Sequence, residues 1–440
     1  MGVGETFIEN IAPEEQEFIR THRTERLLLL IAAAFLLVNY LSLSILRGPV
    51  ELKLWLRPLI WILCAFGGHL LLERRLAHHD PYLYAVTMFL SGCGLVLIDR
   101  LAPAFADRQI LWLIFGTVVL LLTALQGFLI RWLKQYRYVL LLVGLVLLSS
   151  TILFGTNPTG SSLAPQLWLN IGNLHIQPSE LLKIILVAFL ASYLAEQYPI
   201  LRASIAEDSQ RRVWFLPRVI GPVLLMWALS VIVLIWQRDL GTAMLFFIVF
   251  ILLIYVASGY ASVLMGGLLL MLIAGFAGYQ LFSVVQLRVD IWLNPWLDAD
   301  GRAYQIVQSL MAFASGHIFG QGISQGLPTV IPVVHSDFIF AAVAEEWGLV
   351  GVAIIVTCFA VIAMRGFRVG ALQQDHPFSA LLAVGLSMML AVQAVMIMGG
   401  VLKLVPLTGV TLPFVSYGGS SLVISFMMVG LLLHLSAQND

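Results

Sequence analysis

Charge is what this chain has least of. Only 11% of its 440 residues are Asp, Glu, Lys or Arg, against 60% that are hydrophobic, about half the charged share of an ordinary soluble domain. Water cannot be the main solvent for such a surface, which leaves the bilayer. The 24 basic and 24 acidic residues cancel, so there is no global field for nucleic acid or for an acidic soluble partner. Cysteine is scarce as well. Cys64, Cys93 and Cys358 sit in apolar stretches without CxxC spacing or neighbouring histidines, which argues for packing roles and against a disulfide or a zinc site. The histidines contain no i, i+4 pair and no HExxH pattern, so a tightly held His-ligated metal is not expected. No secretory leader is expected at the start of the sequence. The first 26 residues are acidic and then basic (Arg20, Arg23, Arg26), without a small-residue cleavage site, and segment 27–46 is expected to remain as a membrane helix.

What the chain does have is apolar runs of the length a bilayer requires, about 20 residues each. They fall near 27–46, 57–72, 82–101, 110–130, 137–155, 179–197, 219–236, 241–258, 260–282, 338–364, 378–402 and 421–436. The expected fold is therefore all-α: a polytopic membrane helix bundle with about 12 transmembrane helices. Lys and Arg concentrate in alternate loops, for example Arg74, Arg75, Arg131, Lys134, Arg137, Arg365 and Arg368, which favours cytoplasmic N and C termini. Segments 156–178, 283–337 and 403–420 then lie outside. The loop 283–337 is rich in glycine and apolar residues, a composition that predicts order, and Tyr304 to Phe319 is apolar but too short to span. A re-entrant or interfacial helix is expected there. No internal repeat of the transporter kind is evident.

Ionisable groups beside apolar helices are expensive, so each is a functional candidate. Four clusters stand out. Gln177-Pro178-Ser179-Glu180-Leu181-Leu182-Lys183 opens the sixth run. Proline and an acid suit a helix start, and Glu180 and Lys183 are spaced to pair at i, i+3, so a capping role and a chemical role explain the pattern equally well. Gln237-Arg238-Asp239-Leu240-Gly241-Thr242 makes a tight outer hairpin in which Asp239 suits a helix cap or a site. His335-Ser336-Asp337-Phe338 leads into the tenth run, where Asp337 suits a helix cap or a chemical role: a partly desolvated carboxylate near a cation has its pKa pulled both ways, the means by which a general base is poised. Glu345 and Glu346 follow in the same helix, too deep for a solvated face, with Lys183 or Arg288 as expected partners. The last cluster runs from Pro406 to Ser421 and contains Ser416-Tyr417-Gly418-Gly419. Its glycine pair would suit phosphate at backbone N–H groups or simply a buried re-entrant turn.

Taken together, Gln177-Pro178-Ser179-Glu180, Asp239-Leu240-Gly241-Thr242, Tyr304-Gln305 with Gln308-Ser309, Ser336-Asp337-Phe338-Ile339-Phe340 with Glu345-Glu346, and Leu412-Pro413-Phe414 with Ser416-Tyr417-Gly418-Gly419-Ser420 occur in one order. In that order and spacing the chain resembles the SEDS family of RodA and FtsW proteins over roughly residues 136–436. The resemblance implies a peptidoglycan glycosyltransferase that polymerises lipid II into glycan strands at the outer membrane face of a bacterial cell, working with a class B penicillin-binding protein that cross-links them. Asp337 stands at the family's essential aspartate and by carry-over would be the general base. Glu180, Lys183, Arg238, Asp239, Arg288, Gln308, Ser309, Glu345, Ser416, Tyr417, Gly418 and Gly419 would bind substrate or support it. Lys183, Arg288 and Arg238, or a loosely bound divalent cation such as Mg2+ or Mn2+, would neutralise the departing pyrophosphate. No organic cofactor is implied, and the expected partners are lipid II, the nascent strand, the transpeptidase and membrane lipids.

The layout that follows is a cytoplasmic segment 1–26, additional N-terminal helices over 27–135, a SEDS-like catalytic membrane domain over 136–436 and a tail 437–440. The chain departs from the family pattern where Arg238 replaces a proline and where Val333, Gln321 and Ile397 replace a Glu, a Lys and an Asn. A competing reading is a flippase for lipid-linked sugars, which would need access from both membrane faces. Here the polar clusters lie at one set of helix ends.

Overall fold

The computed structural model describes residues 13–48, 52–157, 166–172, 174–206, eight positions between 221 and 237, and 239–438, with backbone alone for 13–22, 171, 174 and 198–206. Its helices are α1 Pro13–Arg47, α2 Leu52–Arg75, α3 Pro81–Leu101, α4 Pro103–Leu125, α5 Phe128–Gln135, α6 Arg137–Phe154, α7 Pro178–Ala206, α8 Leu240–Ser258, α9 Ala261–Leu281, α10 Ser283–Leu293, α11 Tyr304–Gly316, α12 Ile339–Leu372, α13 Pro377–Val401 and α14 Gly419–Ser436. Among the described residues eleven helices are long and apolar enough to cross a membrane. They coincide with eleven of the twelve runs read from the sequence, while the seventh run, 219–236, lies largely outside the described residues. The protein is an all-α polytopic membrane bundle.

Helix ends follow local chemistry. Pro81, Pro103, Pro178 and Pro377 open α3, α4, α7 and α13, positions where the missing N–H costs nothing because it would be unpaired anyway. Asp80 caps α3 by accepting from the Tyr82 and Leu83 N–H groups. Gly259, at φ 71°, ends α8 in the left-handed region. Two boundaries differ from expectation. α2 begins at Leu52 and runs through Pro58 instead of starting beside it, at the cost of one backbone hydrogen bond that membrane helices tolerate. α12 runs to Leu372 and carries one break, at Gly348 (φ 66°, ψ −165°). An antiparallel pair of three-residue strands, β1 Leu169–Ile171 and β2 Leu174–Ile176, stands before α7. Strands that short leave no periodicity in a sequence.

Packing sorts the helices. α3, α7, α13 and α14 are buried over most of their length, whereas α9 touches little besides α8 and α10 and turns its apolar side chains to lipid. α14 lies along α4, α12 along α13, and α7 between α6 and α13. α1 and α2 join the bundle through charge as well as apolar contact. The fully buried Asp99 of α3 accepts from Arg47 of α1 (3.1 Å), Arg57 of α2 (2.7 Å) and the Tyr40 hydroxyl (3.2 Å). At the opposite end Glu25 lies 2.8 Å from His79, and Asp80 pairs with Arg365 (2.6 Å).

The expected helix at Tyr304 to Phe319 is α11, packed on α12. Beyond it the backbone of 317–322 crosses the break at Gly348: Leu349 and Val350 N–H groups bond to the His317 and Ile318 carbonyls, and Gln321 and Gly322 N–H groups bond to Glu345 and Glu346 carbonyls. A Cβ at Gly348 would sit 2.2 Å from Gly320 N, so only glycine allows this crossing.

Candidate active site

Asp337 lies in the short turn that feeds α12. Phe338, not Asp337, holds the cap position, and no side chain caps this helix. The Asp337 carboxylate instead accepts from the Ser336 hydroxyl at 2.8 Å. The segment 412–417 fixes this turn: the Ser416 hydroxyl donates to the Ser336 carbonyl at 2.6 Å, and the Tyr417 N–H bonds to the His335 carbonyl at 2.9 Å. Phe105 of α4 stacks on the Tyr417 ring at 4.7 Å and lies 5.1 Å from His335. Burial pushes the Asp337 carboxyl above the ordinary carboxylate range, and the Ser336 hydroxyl and the Arg288 charge act against that rise.

Arg288, on the interfacial helix α10, donates to the Thr408 carbonyl at 3.2 Å. Arg288 and Asp337 share one neighbourhood, because a Cβ added at Gly409 would stand 3.8 Å from Arg288 Nη2 and 3.9 Å from Asp337 Oδ2. Burial lowers the Arg288 pKa, and the charges of Asp239 and Asp337 raise it. Asp239 does cap α8, accepting from the Thr242 N–H at 3.2 Å. Its other oxygen, Oδ2, is buried without a hydrogen-bond partner among the described residues. Burial raises the Asp239 pKa, while its hydrogen bonds with Thr242 and the Lys183 charge lower it. The close approach of Gly241 to the Thr408 carbonyl, 2.2 Å for an added Cβ, seats the loop that carries Thr408 on this end of α8.

Beneath lies a buried polar chain. Lys183 bonds to Glu180 at 2.7 Å, the pair expected from the i, i+3 spacing, and to Gln393 Oε1 of α13 at 2.8 Å. Gln393 in turn donates to the Thr411 carbonyl at 2.8 Å, and the Thr411 and Ser421 hydroxyls are 2.8 Å apart. Glu180, Lys183, Asp239, Arg288, Asp337, Ser416 and Tyr417 are thus gathered at one end of the bundle.

Other expected site residues are placed differently. Glu345 and Glu346 do not pair with Lys183 or Arg288. Glu346 meets Arg100 of α3 at 3.1 Å and Glu345 accepts the Leu327 N–H at 2.7 Å, because α12 turns this face toward α3 and the 317–330 loop. The pair anchors that loop. Ser309 donates to the Ile306 and Val401 carbonyls (2.8 and 3.0 Å) and fastens α11 to α13, and Gln308 lies half-buried on α11. Gly418 and Gly419 start α14, and Gly419 lets Trp112 pack against the backbone, since an added Cβ would lie 2.1 Å from that ring. The segment 412–416 before them is a buried turn. Arg238 lies outside the described residues. Sequence reasoning missed Gln393 and Phe105, and it read Thr408 only as a member of the cluster from Pro406 to Ser421. The signal for Gln393 was a lone amide in the middle of an otherwise apolar run.

A divalent cation would have to work with few protein donors. Among the described residues no three His, Cys, Asp or Glu side chains converge on one point. Mg2+ is commonly held by one or two carboxylates with substrate phosphates and water completing its shell. Asp337 and the unpartnered Asp239 Oδ2 fit that arrangement.

A buried carboxylate near a guanidinium, both at the boundary of an apolar helix bundle, marks a membrane protein with a charged site at the ends of its helices. The family model described as cell cycle protein, FtsW/RodA/SpoVE, matches residues 82–440, reaching further toward the N-terminus than the motifs do. The peptidoglycan glycosyltransferase RodA of Mycobacterium tuberculosis is 34% identical over 437 residues, covering 94% of this chain and 91% of the relative. The stage V sporulation protein E of Bacillus subtilis is 31% identical over 373 residues, covering 81% and 96%. A solved chain from a peptidoglycan synthase complex that coordinates polymerization and crosslinking superposes with a TM-score of 0.68 at 26% identity, covering 82% of this chain and 98% of that one. The chain belongs to the FtsW/RodA/SpoVE family. The family model begins at residue 82, whereas the alignment with the mycobacterial relative covers 94% of this chain and so extends N-terminal to it.

Proposed function

We propose that this protein is a peptidoglycan glycosyltransferase that polymerises lipid II at the outer membrane face, with N and C termini cytoplasmic, and that Asp337 is its general base. The observation that carries this reading is the proximity of Asp337 and Arg288, which flank Gly409 at the end of the bundle and feel each other's charge without forming a direct ion pair. Asp337 takes the proton from the acceptor sugar hydroxyl. The hydroxyl oxygen forms a bond to the anomeric carbon of the donor, the bond from that carbon to the pyrophosphate oxygen breaks, and the electron pair leaves with polyprenyl pyrophosphate. One base suffices for such an inverting displacement, provided the leaving group is neutralised.

Arg288 suits the neutralising role better than Lys183. Lys183 is already committed to Glu180 and Gln393, whereas Arg288 has only a carbonyl acceptor among the described residues and can form paired bonds to phosphate oxygens. A Mg2+ or Mn2+ ion on Asp337 or Asp239 would add positive charge at the pyrophosphate when bound. Glu180 and Lys183 support the loop that carries Arg288's acceptor, and the 136–436 region holds the whole constellation. The superposition with a chain of a polymerising and crosslinking complex supports a class B penicillin-binding protein as partner.

The test is polymerisation of fluorescent lipid II by the purified protein, alone and with its cognate penicillin-binding protein, against Asp337→Ala at matched folding. Glycan strands from the wild type and none from the variant are expected. Product from neither, together with lipid II flipping in vesicles, would replace this reading with a flippase.

A further inference from the structure

At the opposite end of α12 and α14 from Asp337 lies a cavity of about 730 Å³, lined by Arg131 and Lys134 of α5, Asp375, His376 and Ser379 at the start of α13, and His434 near the end of α14. Its chemistry is cationic. Neither Arg131 nor Lys134 forms an ion pair among the described residues, not even with Asp375. Lys134 only leans over the Phe378 ring at 5.8 Å. His434 contributes a wall and no donor: its Nδ1 bonds to the Ala124 carbonyl at 2.7 Å, and its Nε2 faces the Gln438 amide at 3.0 Å. The cap position of α13 is His376, whose side chain makes no capping bond, so the first-turn N–H groups add partial positive charge on the same side.

α5 fixes the depth of this cavity. It is eight residues long, with Ile130 and Leu133 buried on the bundle. Phe128 and Trp132 are exposed, as is the following Tyr136, and the three form an edge-to-face ladder with ring separations of 5.4 and 6.3 Å. Exposed aromatic rings on a short amphipathic helix mark the interface between headgroups and hydrocarbon. Two unpaired cations facing a cavity at that depth suit a lipid phosphate better than a soluble anion, because the acyl chains can continue along the exposed Phe128 and Trp132. We propose that this cavity binds the phosphate headgroup of an anionic phospholipid of the inner leaflet, with Arg131 and Lys134 as its ligands. The site shares no residue with the proposed active site, and its assignment to the inner leaflet rests on the proposed orientation with cytoplasmic termini.

The experiment is native mass spectrometry of the full chain, delipidated and titrated with phosphatidylglycerol or phosphatidylcholine, in parallel with inorganic phosphate as competitor. Phosphatidylglycerol should bind in preference to phosphatidylcholine. The double variant Arg131→Gln/Lys134→Gln should weaken it by on the order of tenfold or more, and Asp375→Asn, which removes the one acid in the lining, should tighten it. Inorganic phosphate should not displace the lipid. Equal retention by wild type and double variant, or no preference for the anionic lipid, overturns the proposal. Displacement by phosphate assigns the cavity to a soluble anion and overturns the lipid source. If the double variant does not fold, Asp375→Asn decides, and an unchanged affinity there is equally fatal.

Discussion

Arg288 donates to the Thr408 carbonyl, 120 residues further along the chain, at 3.2 Å, and this bond ties an interfacial helix to the loop that faces Asp337. The tie leaves the rest of the guanidinium free to meet developing charge on a leaving group. Replacing Arg288 with Gln should lower the polymerisation rate by about 10² or more, the cost of losing one preorganised charge-stabilising donor, with an unchanged elution profile and little change in thermal stability. Lys at this position should recover only part of the rate, since an ammonium cannot hold the carbonyl and present a second planar donor pair. Full activity in Arg288→Gln would remove Arg288 from the mechanism.

Asp337 carries a cost in stability that its chemistry explains. Burial raises its pKa above the ordinary value, so the folded state favours the protonated form. The stabilisation is therefore complete below about pH 4, the ordinary carboxylate value, and is lost as pH rises through the folded pKa. Asp337→Asn, uncharged at every pH, should then melt higher than wild type at neutral pH, with the difference closing toward acid, while polymerisation is abolished. Wild-type activity should rise with pH through a midpoint above the usual carboxylate range. A variant that melts lower than wild type at neutral pH would contradict the assignment of burial as the dominant influence on this group.

How much of this was legible in the sequence depended on distance along the chain. Pro178, Glu180 and Lys183 could be read together because a helix brings i and i+3 side by side, and the structure has that pair at 2.7 Å. The capping role of Asp239 was legible for the same reason. Gln393 was not, because its partner Lys183 lies 210 residues away. Glu345 and Glu346 were recognised as too deep to be solvated, but their partners were misassigned. Arg100 looks in the sequence like a charge trailing off the end of a helix, and the Leu327 N–H that Glu345 accepts is invisible to any side-chain pattern. Asp337 stood out through resemblance. What the structure added is that its carboxylate does not cap α12 and so remains available for chemistry.

Lys183 tests whether the buried chain under the site is structural. It is 1% exposed and bonded to both Glu180 and Gln393, so Lys183→Met leaves a carboxylate buried without its counter-ion. That should cost about 3–5 kcal/mol, read as a lower unfolding midpoint in detergent. The double change Glu180→Gln/Lys183→Met removes both charges and should regain much of the loss. If the double variant is no more stable than the single one, the pair does not carry the coupling its geometry indicates.

Gly348 and Gly259 make a matched pair for separating backbone strain from steric conflict. Both lie in the left-handed region, at φ 66° and 71°, but an added Cβ at Gly259 meets nothing within 4 Å, whereas at Gly348 it would lie 2.2 Å from Gly320 N and 2.5 Å from the Ile318 carbonyl. Gly259→Ala should therefore cost about 1 kcal/mol of strain alone. Gly348→Ala adds a backbone clash and should cost roughly 3 kcal/mol or more. The larger effect should also reach function. The 317–322 backbone that crosses Gly348 is bonded to Glu345 and Glu346, two turns into the helix that Asp337 precedes. Displacing it should lower polymerisation in Gly348→Ala and leave Gly259→Ala near wild-type activity. Equal costs at the two glycines would mean that the crossing at Gly348 relaxes freely and does not hold the helix that carries the site.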